Sequence, residues 1–270
     1  VMDYQQLLPP ILKAAKEAGD IILTYYHCEG DVAFSTKADT SPLTQADLAA
    51  DRHIQQALTS LTDFHYLSEE TKAAPYEARQ SWKTFWIVDP LDGTKEFIKK
   101  SDEFTVNIAL MHEGELVLGV VYAPAKKTMY YGCKGLGAYR QIDQGAVEKL
   151  PQPRQDDEVK VVVSKSHLTA QCEQYLQKLK KQFGDKLKTV SSGSSLKFCR
   201  LSEGSADIYP RFGPTMEWDT AAGHAVLLYS GGVIQDHALT YNKASLRNGA
   251  FIAVGMTTTK AVNYMHAQPD

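Results

Sequence analysis

The order of elements in this 270-residue sequence is compatible with an α+β fold, and three features give that order. Apolar residues recur at helical spacing through the N-terminal stretches. Between 104 and 139 the pattern changes to short alternating runs separated by turns, an antiparallel meander. From 159 onward, strand-like and helix-like runs take turns.

Taken in order, residues 5–26 carry Leu8, Ile11, Leu12, Ala15, Ala18, Ile22 and Tyr25 on a helical period, with Pro9 and Pro10 near the start. A polar loop over 36–42 follows. A second helix shows Leu48, Ile54, Leu58 and Leu61 on one face, and Thr44-Gln45-Ala46-Asp47 reads as its capping box. The plainest role for Asp47 is therefore to cap its own helix. Residues 64–67 read as a short strand ending at Ser68-Glu69-Glu70. Trp86-Ile87-Val88 reads as a short buried strand. Pro90 fixes φ and Gly93 tolerates unusual φ, so a turn is predicted directly after it, and 95–100 start a helix. In the meander, Val106, Ile108 and Leu110 share one side of the strand at 104–111. Further strands are expected at 116–122 and 128–132, and another begins in 135–139. The polar stretch 141–158, with Pro151 and Pro153, marks a boundary between residues 1–150 and 151–270. Beyond it come a strand at 159–164, a helix at 168–182 and a strand at 187–191. A helix then opens from Gly193-Ser194-Ser195, and a strand follows at 206–211. Asp219 heads a helix over 220–229 that Gly231-Gly232 stops. Final strands are predicted at 233–235 and 251–254, with a frayed tail after Gly255.

Hydrophobic residues at 43% and charged residues at 23% are ordinary for a globular chain. A net charge of −3 offers no broad surface to a nucleic-acid polymer. No apolar run is long enough to cross a bilayer, and Val1-Met2-Asp3-Tyr4 lacks the basic and apolar regions of a signal peptide. Cys28, Cys133, Cys172 and Cys199 are far apart and form no CxxC pair, against a zinc site or a disulfide framework. The expectation is a cytoplasmic protein, with peripheral attachment to the cytoplasmic face of the inner membrane left open, acting as a monomer or homodimer.

Asp89 and Asp92 lie in the predicted turn, immediately before a helix start. Such carboxylates can hold a hard cation such as Mg²⁺, and the free N–H groups of the helix start can hold a phosphate. The bland reading is a strand–turn–helix link with an Asp cap. Glu69, Glu70 and Asp219 also stand at element ends. Clustered carboxylates raise one another's pKa, a cost that Mg²⁺ removes. Alone, Asp219 reads as an N-cap and Glu69-Glu70 as a solvated turn; nothing in their spacing places them together.

Asp89-Pro90-Leu91-Asp92-Gly93-Thr94 resembles the first signature of the inositol monophosphatase superfamily, and Trp218-Asp219-Thr220-Ala221-Ala222-Gly223 the second. Ser68-Glu69-Glu70 is similar to the upstream acidic element, and the resemblance runs from the first helix to Val254. Within the superfamily, Lys95-Glu96-Phe97-Ile98-Lys99, Gly193-Ser194-Ser195-Leu196-Lys197-Phe198 and Tyr209-Pro210-Arg211-Phe212-Gly213-Pro214-Thr215 resemble the bacterial 3′(2′),5′-bisphosphate nucleotidases. The resemblance implies a layered αβαβα sandwich with the site between its halves. It implies Mg²⁺ held by Glu69, Asp89, Asp92, Asp219 and the Leu91 carbonyl, all but Asp89 also facing the substrate. Gly93 and Thr94 would offer N–H groups to the scissile phosphate. Asp47 and Thr94 would orient and deprotonate the attacking water, with Glu69 counted among the catalytic groups and Glu70 as support behind them. Ser194, Ser195, Lys197 and Arg211 would face the other phosphate and the ribose. A Gly-preceded helix start suits a phosphate and Arg adds a fork; the bland reading is surface polarity and a cap. His167 is placed near the nucleotide, although a lone His is more often structural.

The implied activity is Mg²⁺-dependent removal of the 3′-phosphate of adenosine 3′,5′-bisphosphate, giving AMP and phosphate, with lithium inhibition. Action on the sulfated analogue would link it to sulfate assimilation. The alternatives are an inositol or sugar phosphatase of the same superfamily and a silent nucleotide- or metal-binding module. The latter has no need of Asp47 and Thr94. An Asp-nucleophile phosphatase fits poorly, because two residues separate Asp89 from Asp92 and the strand lies far into the chain.

Overall fold

The structure, a computed structural model, describes residues 3–28, 41–71, 74–164 and 168–256. His167, most of the polar loop before Ser41 and the tail after Met256 lie outside the described residues.

Two helices come first, α1 (Tyr4–Tyr26) and α2 (Pro42–Leu61). α2 begins earlier than the capping-box pattern implied. Ser41 is its N-cap, its Oγ accepting from the Thr44 N–H at 3.1 Å, and Pro42 opens the first turn. Ser followed by Pro is the stronger start signal, so Asp47 falls in the second turn and does not cap.

A seven-stranded sheet follows in sequence order: β1 (His65–Ser68), β2 (Thr84–Asp92), β3 (Thr105–His112), β4 (Glu115–Ala123), β5 (Thr128–Cys133), β6 (Gly137–Ile142) and β7 (Val147–Lys149). β1 and β2 are parallel and every later pair is antiparallel. Two short helices interrupt it, α3 (Tyr76–Arg79) before β2 and α4 (Thr94–Ile98) after it. The rest of the chain comprises β8 (Val159–Ser164), α5 (Ala170–Phe183), β9 (Leu187–Ser192), α6 (Leu196–Glu203), β10 (Ile208–Arg211), β11 (Thr215–Met216), α7 (Glu217–Tyr229), β12 (Val233–Ile234), β13 (Arg247–Asn248) and β14 (Phe251–Val254). β12, β14, β10, β8 and β9 form a second sheet in that order, and β11 pairs with β13.

Period-two alternation sorts the strand side chains into separate cores. Trp86 and Val88 pack with Ile11, Ile22 and Ile54 of α1 and α2. Their neighbours Phe85 and Ile87 pack on the opposite face with Leu196 of α6 and Ala221 and Ala225 of α7. The far side of those helices, through Phe198 and Leu227, meets Val162, Phe251 and Ala253 of the second sheet. Ile252 and Val254 turn outward to Tyr175 and Leu179 of α5. The layers are therefore αβαβα. Burial on both faces explains why β2 is apolar without alternation. Among the described residues no helix is long and apolar enough to cross a membrane.

The turn expected at Pro90 is absent: β2 runs on to Asp92. Asp89 pairs with Asn107 and Asp92 with Thr105, so β2 spends one more residue than β3 over the same step. This is a bulge, and a bulge is where a strand tolerates Pro, because the ladder is already broken. Gly93 alone makes the turn, at φ 91°.

α7 lies close on β4. A Cβ added at Gly119 would sit 2.5 Å from the Ala225 Cβ and 2.6 Å from the Ala222 carbonyl oxygen. Gly119→Ala is expected to destabilise the fold by about 1–3 kcal/mol through overpacking, read from urea unfolding at unchanged m-value. An unchanged midpoint would mean that α7 has room to move off the sheet.

Candidate active site

The β2 bulge carries the first two carboxylates, and α7 brings a third. One oxygen each of Asp89, Asp92 and Asp219 lies within 4.8 Å of the others. Each is aimed by a main-chain donor. The Leu91 N–H donates to Asp89 Oδ1 at 3.2 Å, the Ser195 N–H to Asp92 Oδ2 at 2.8 Å, and the Met216 N–H to Asp219 Oδ2 at 2.8 Å. Asp219 is therefore not the N-cap of its helix. It sits at the third helical position and accepts from the capping residue, the reciprocal half of a capping box. Glu69 follows β1 directly and hydrogen-bonds to Asp89 through its carboxyl group.

Burial pushes Asp89 well above the usual carboxylate range, and the charges of Asp92, Glu69 and Asp219 add to that. Asp92 is pushed up to about 8, again by burial and then by Asp219, against the opposing pull of Lys197 and the Ser195 N–H. Burial also raises Glu69 and Asp219. The hydrogen bond to Asp89 opposes it in both, and the Met216 N–H opposes it further in Asp219. Left to itself, such a cluster keeps protons to avoid buried like charges. Its donors are oxygens only, anionic and convergent, which fits a hard divalent cation such as Mg²⁺ and offers no soft ligand to zinc. The Leu91 side chain is 1% exposed and its N–H donates to Asp89.

Asp47 stands behind this group on α2. Its Oδ1 is buried with no hydrogen-bond partner among the described residues. Its carboxyl is pushed up to about 8 by burial, then by Glu70, Glu69 and Asp51. Thr94 is exposed at the first position of α4, directly after Gly93. Gly93 is required twice over. Its φ is left-handed, and a Cβ there would lie 3.0 Å from the Ser194 Cβ and 3.2 Å from the Glu103 carbonyl oxygen.

In front of the carboxylates opens a cavity of about 230 Å³ whose walls include Asp92, Thr94, Ser195, Lys197, Arg211 and Asp219. Lys197 is buried, its ammonium 5.5 Å from the centre of the Tyr209 ring. Arg211 donates from Nε to the Gly213 carbonyl at 3.4 Å and from a terminal nitrogen to that of Pro214 at 3.5 Å. The two serines are already engaged: Ser194 Oγ donates to the Glu103 carbonyl at 2.6 Å, and Ser195 Oγ shares a 2.7 Å hydrogen bond with Thr105 Oγ1. They fasten the wall of the cavity to β3 and the residues before it. Sequence reasoning missed Glu96, Ser164 and Tyr209, which also line the cavity. Glu96 packs where a Cβ on Gly193 would come within 2.8 Å of its Cγ. The unusual Gly193 was the one available hint that another side chain occupies that space.

The sequence pattern of the inositol monophosphatase family matches residues 3–267. The 3′(2′),5′-bisphosphate nucleotidase CysQ of Salmonella typhimurium is 47% identical over 231 residues, 85% of this chain and 90% of that protein. CysQ of Haemophilus influenzae is 35% identical over 257 residues, 93% of each chain. The crystal structure of CysQ from Bacteroides thetaiotaomicron, described as a bacterial member of the inositol monophosphatase family, superposes with a TM-score of 0.86. It is 44% identical and covers 94% of this chain and 98% of its own. An inositol monophosphatase from Anabaena, at 23% identity, gives a TM-score of 0.73 with 99% and 98% covered, a likeness of fold alone. With the sequence pattern and these relatives covering nearly its whole length, the chain belongs to the inositol monophosphatase family.

Proposed function

We propose that the chain is a Mg²⁺-dependent 3′(2′),5′-bisphosphate nucleotidase that converts adenosine 3′,5′-bisphosphate to AMP and phosphate, and acts likewise on the sulfated analogue. The observation that carries the reading is one cavity lined both by Asp92 and Asp219 of the carboxylate cluster and by buried Lys197 with Arg211. An inositol phosphate has one phosphate to place; a nucleotide bisphosphate has two, and the second needs cations of its own. The relatives named 3′(2′),5′-bisphosphate nucleotidase support the same choice. All four cysteines are free, in keeping with a reducing compartment.

In this reading Glu69, Asp89, Asp92, Asp219 and the Leu91 carbonyl hold Mg²⁺. Bound there, it supplies charge neutralisation for phosphate and carboxylates and eases ionisation of a water. The Gly93 and Thr94 N–H groups receive the phosphoryl oxygens. Thr94 orients the attacking water and Asp47 accepts its proton. A carboxylate held above its usual range is a better proton acceptor, and burial with the charges of Glu70, Glu69 and Asp51 raises Asp47. The P–O bond to the ribose 3′ oxygen breaks as the new bond forms, and that oxygen takes up a proton. No phosphoenzyme arises, since water is the nucleophile. Lys197 and Arg211 hold the 5′-phosphate, the first as a point charge and the second as a fork.

Phosphate release from adenosine 3′,5′-bisphosphate and from inositol 1-phosphate, each with Mg²⁺ and with or without lithium, tests the reading. Fast, lithium-sensitive release from the nucleotide alone is expected; preference for the inositol ester would discard the substrate assignment. Lys197→Ala is expected to raise KM for the bisphosphate about tenfold or more, the loss of one charged hydrogen bond, and to leave KM for adenosine 3′-monophosphate nearly unchanged. Equal effects on both would remove Lys197 from the second-phosphate site. Mg²⁺ binding should also release protons at pH 7, because Asp92 sits at about 8 without the cation and must ionise to bind it. Affinity should then rise with pH up to about 8. Calorimetry in buffers of different ionisation enthalpy reads the proton count, and a buffer-independent enthalpy would contradict it.

A further inference from the structure

Asp51 has no place in the chemistry above, yet it is a carboxylate only 6% exposed on α2, one turn beyond Asp47. Its Oδ1 accepts two hydroxyl hydrogen bonds, from Tyr66 at 2.8 Å and from Ser68 at 2.5 Å. Ser68 has one proton to give and gives it to Asp51. Its lone pairs are left for the Glu70 N–H, which donates to Ser68 Oγ at 3.1 Å. A relay thus runs from α2 through the last residue of β1 into the turn that carries Glu69 and Glu70. Among the described residues, the other backbone ties of that turn are long. The Glu69 N–H reaches the Val88 carbonyl at 3.4 Å, a long bond, and the Thr71 hydroxyl reaches the Ser68 carbonyl at 3.3 Å.

Residues four apart on a helix share a face, so the relay is anchored on the same side of α2 that presents Asp47. We propose that Asp51 is a positioning residue: through Ser68 it sets the turn that aims Glu69 at Asp89 and fixes that turn's register against Asp47. The proposal rests on the reading of Glu69 as a Mg²⁺ ligand. Both hydroxyls meet the same oxygen, so the task calls for an acceptor at Oδ1. It does not call for a charge. The plainer alternative is that Asp51 only glues α2 to the edge strand β1, which the Tyr66 bond would do equally well.

Four proteins separate these: wild type, Asp51→Ala, Asp51→Asn and Tyr66→Phe. Each is titrated with Mg²⁺ by calorimetry, assayed for phosphate release from adenosine 3′,5′-bisphosphate, and melted. Asp51→Ala is expected to weaken Mg²⁺ binding about tenfold and lower kcat about tenfold, the range for partners that orient metal ligands, with KM within about twofold. Asp51→Asn keeps an oxygen in place and should stay within about twofold of wild type in both. Tyr66→Phe should lower Tm while sparing Mg²⁺ binding and kcat. Wild-type Mg²⁺ affinity in Asp51→Ala would overturn the proposal. So would equal losses in Asp51→Ala and Tyr66→Phe, or an Asp51→Asn as poor as Asp51→Ala. Should Asp51→Ala fail to fold, Ser68→Ala removes the relay alone: the same tenfold losses support the proposal and wild-type behaviour ends it. If the wild type binds Mg²⁺ but releases no phosphate from the bisphosphate, the substrate reading fails, and the calorimetry still decides the role of Asp51.

Discussion

Carboxyl groups held together out of water are the constraint on which the rest of this structure depends. Asp89, Asp92 and Asp219 approach within 4.8 Å, where two ionised groups repel by about 3 kcal/mol even at an effective dielectric of about 20. Backbone donors and Lys197 offset part of this, and the carboxyl groups still stand above their usual range. The geometry persists because each carboxylate is tethered by one oxygen to a backbone N–H of a rigid element: a strand bulge for Asp89, a helix start for Asp219, and the segment before α6 for Asp92. The donors of these tethers, Leu91, Ser195 and Met216, come from three separate parts of the chain.

The layers explain why those parts meet. α6 and α7 form the middle layer, packed on the large sheet through Ala221, Ala225 and Leu196 and on the second sheet through Phe198 and Leu227. Small residues let the helices approach closely: a Cβ on Gly119 would strike Ala225, and one on Gly223 would lie 2.6 Å from the Phe198 ring. A helix so constrained has little freedom to slide, so its first turn delivers Asp219 to the bulge of β2. On the other side the Ser195–Thr105 hydrogen bond ties the start of α6 to β3, next to the strand that carries Asp89 and Asp92. The cavity lies where these ties meet.

Much of the fold was legible because it obeys periodicity. The two opening helices, the meander and the strand–helix alternation of the second half follow from spacings of apolar residues. The misreadings were local. Pro90 and Gly93 look like a turn when only neighbours are weighed, but burial on both faces and pairing with β3 carry β2 through Pro90 as a bulge. Asp47 looked like a cap because Thr44-Gln45-Ala46-Asp47 has the right pattern, but Ser41-Pro42 starts the helix first. Asp219 was half legible: it does satisfy a helix-start donor, and the same helix start brings it to Asp89 and Asp92. The convergence of carboxylates was not readable from spacing at all and came from resemblance to family signatures. The partners of Ser194 and Ser195 were invisible for the same reason, since Glu103 and Thr105 lie about ninety positions away and only folding brings them near.

Lys197 and Arg211 line the same cavity as Asp92 and Asp219, so the site presents cations beside its carboxylates. Lys197 is buried, and a buried ammonium is costly unless paired. Among the described residues, neither Lys197 nor Arg211 makes an ion pair with a carboxylate, although both lower the pKa of Asp219 and Lys197 lowers that of Asp92. They are near enough to feel the cluster and too far to neutralise it. Direct pairing would be cheaper for the empty protein, and it would consume both charges. Held unpaired in one cavity, the carboxylates favour a cation, and Lys197 and Arg211 favour anions. A ligand that satisfies both brings positive and negative charge together, which is the ground for the proposed bisphosphate substrate and its cation. Burial and the charge of Asp219 push Asp92 up to about 8, so a cation entering the cavity would relieve the carboxylates that line it.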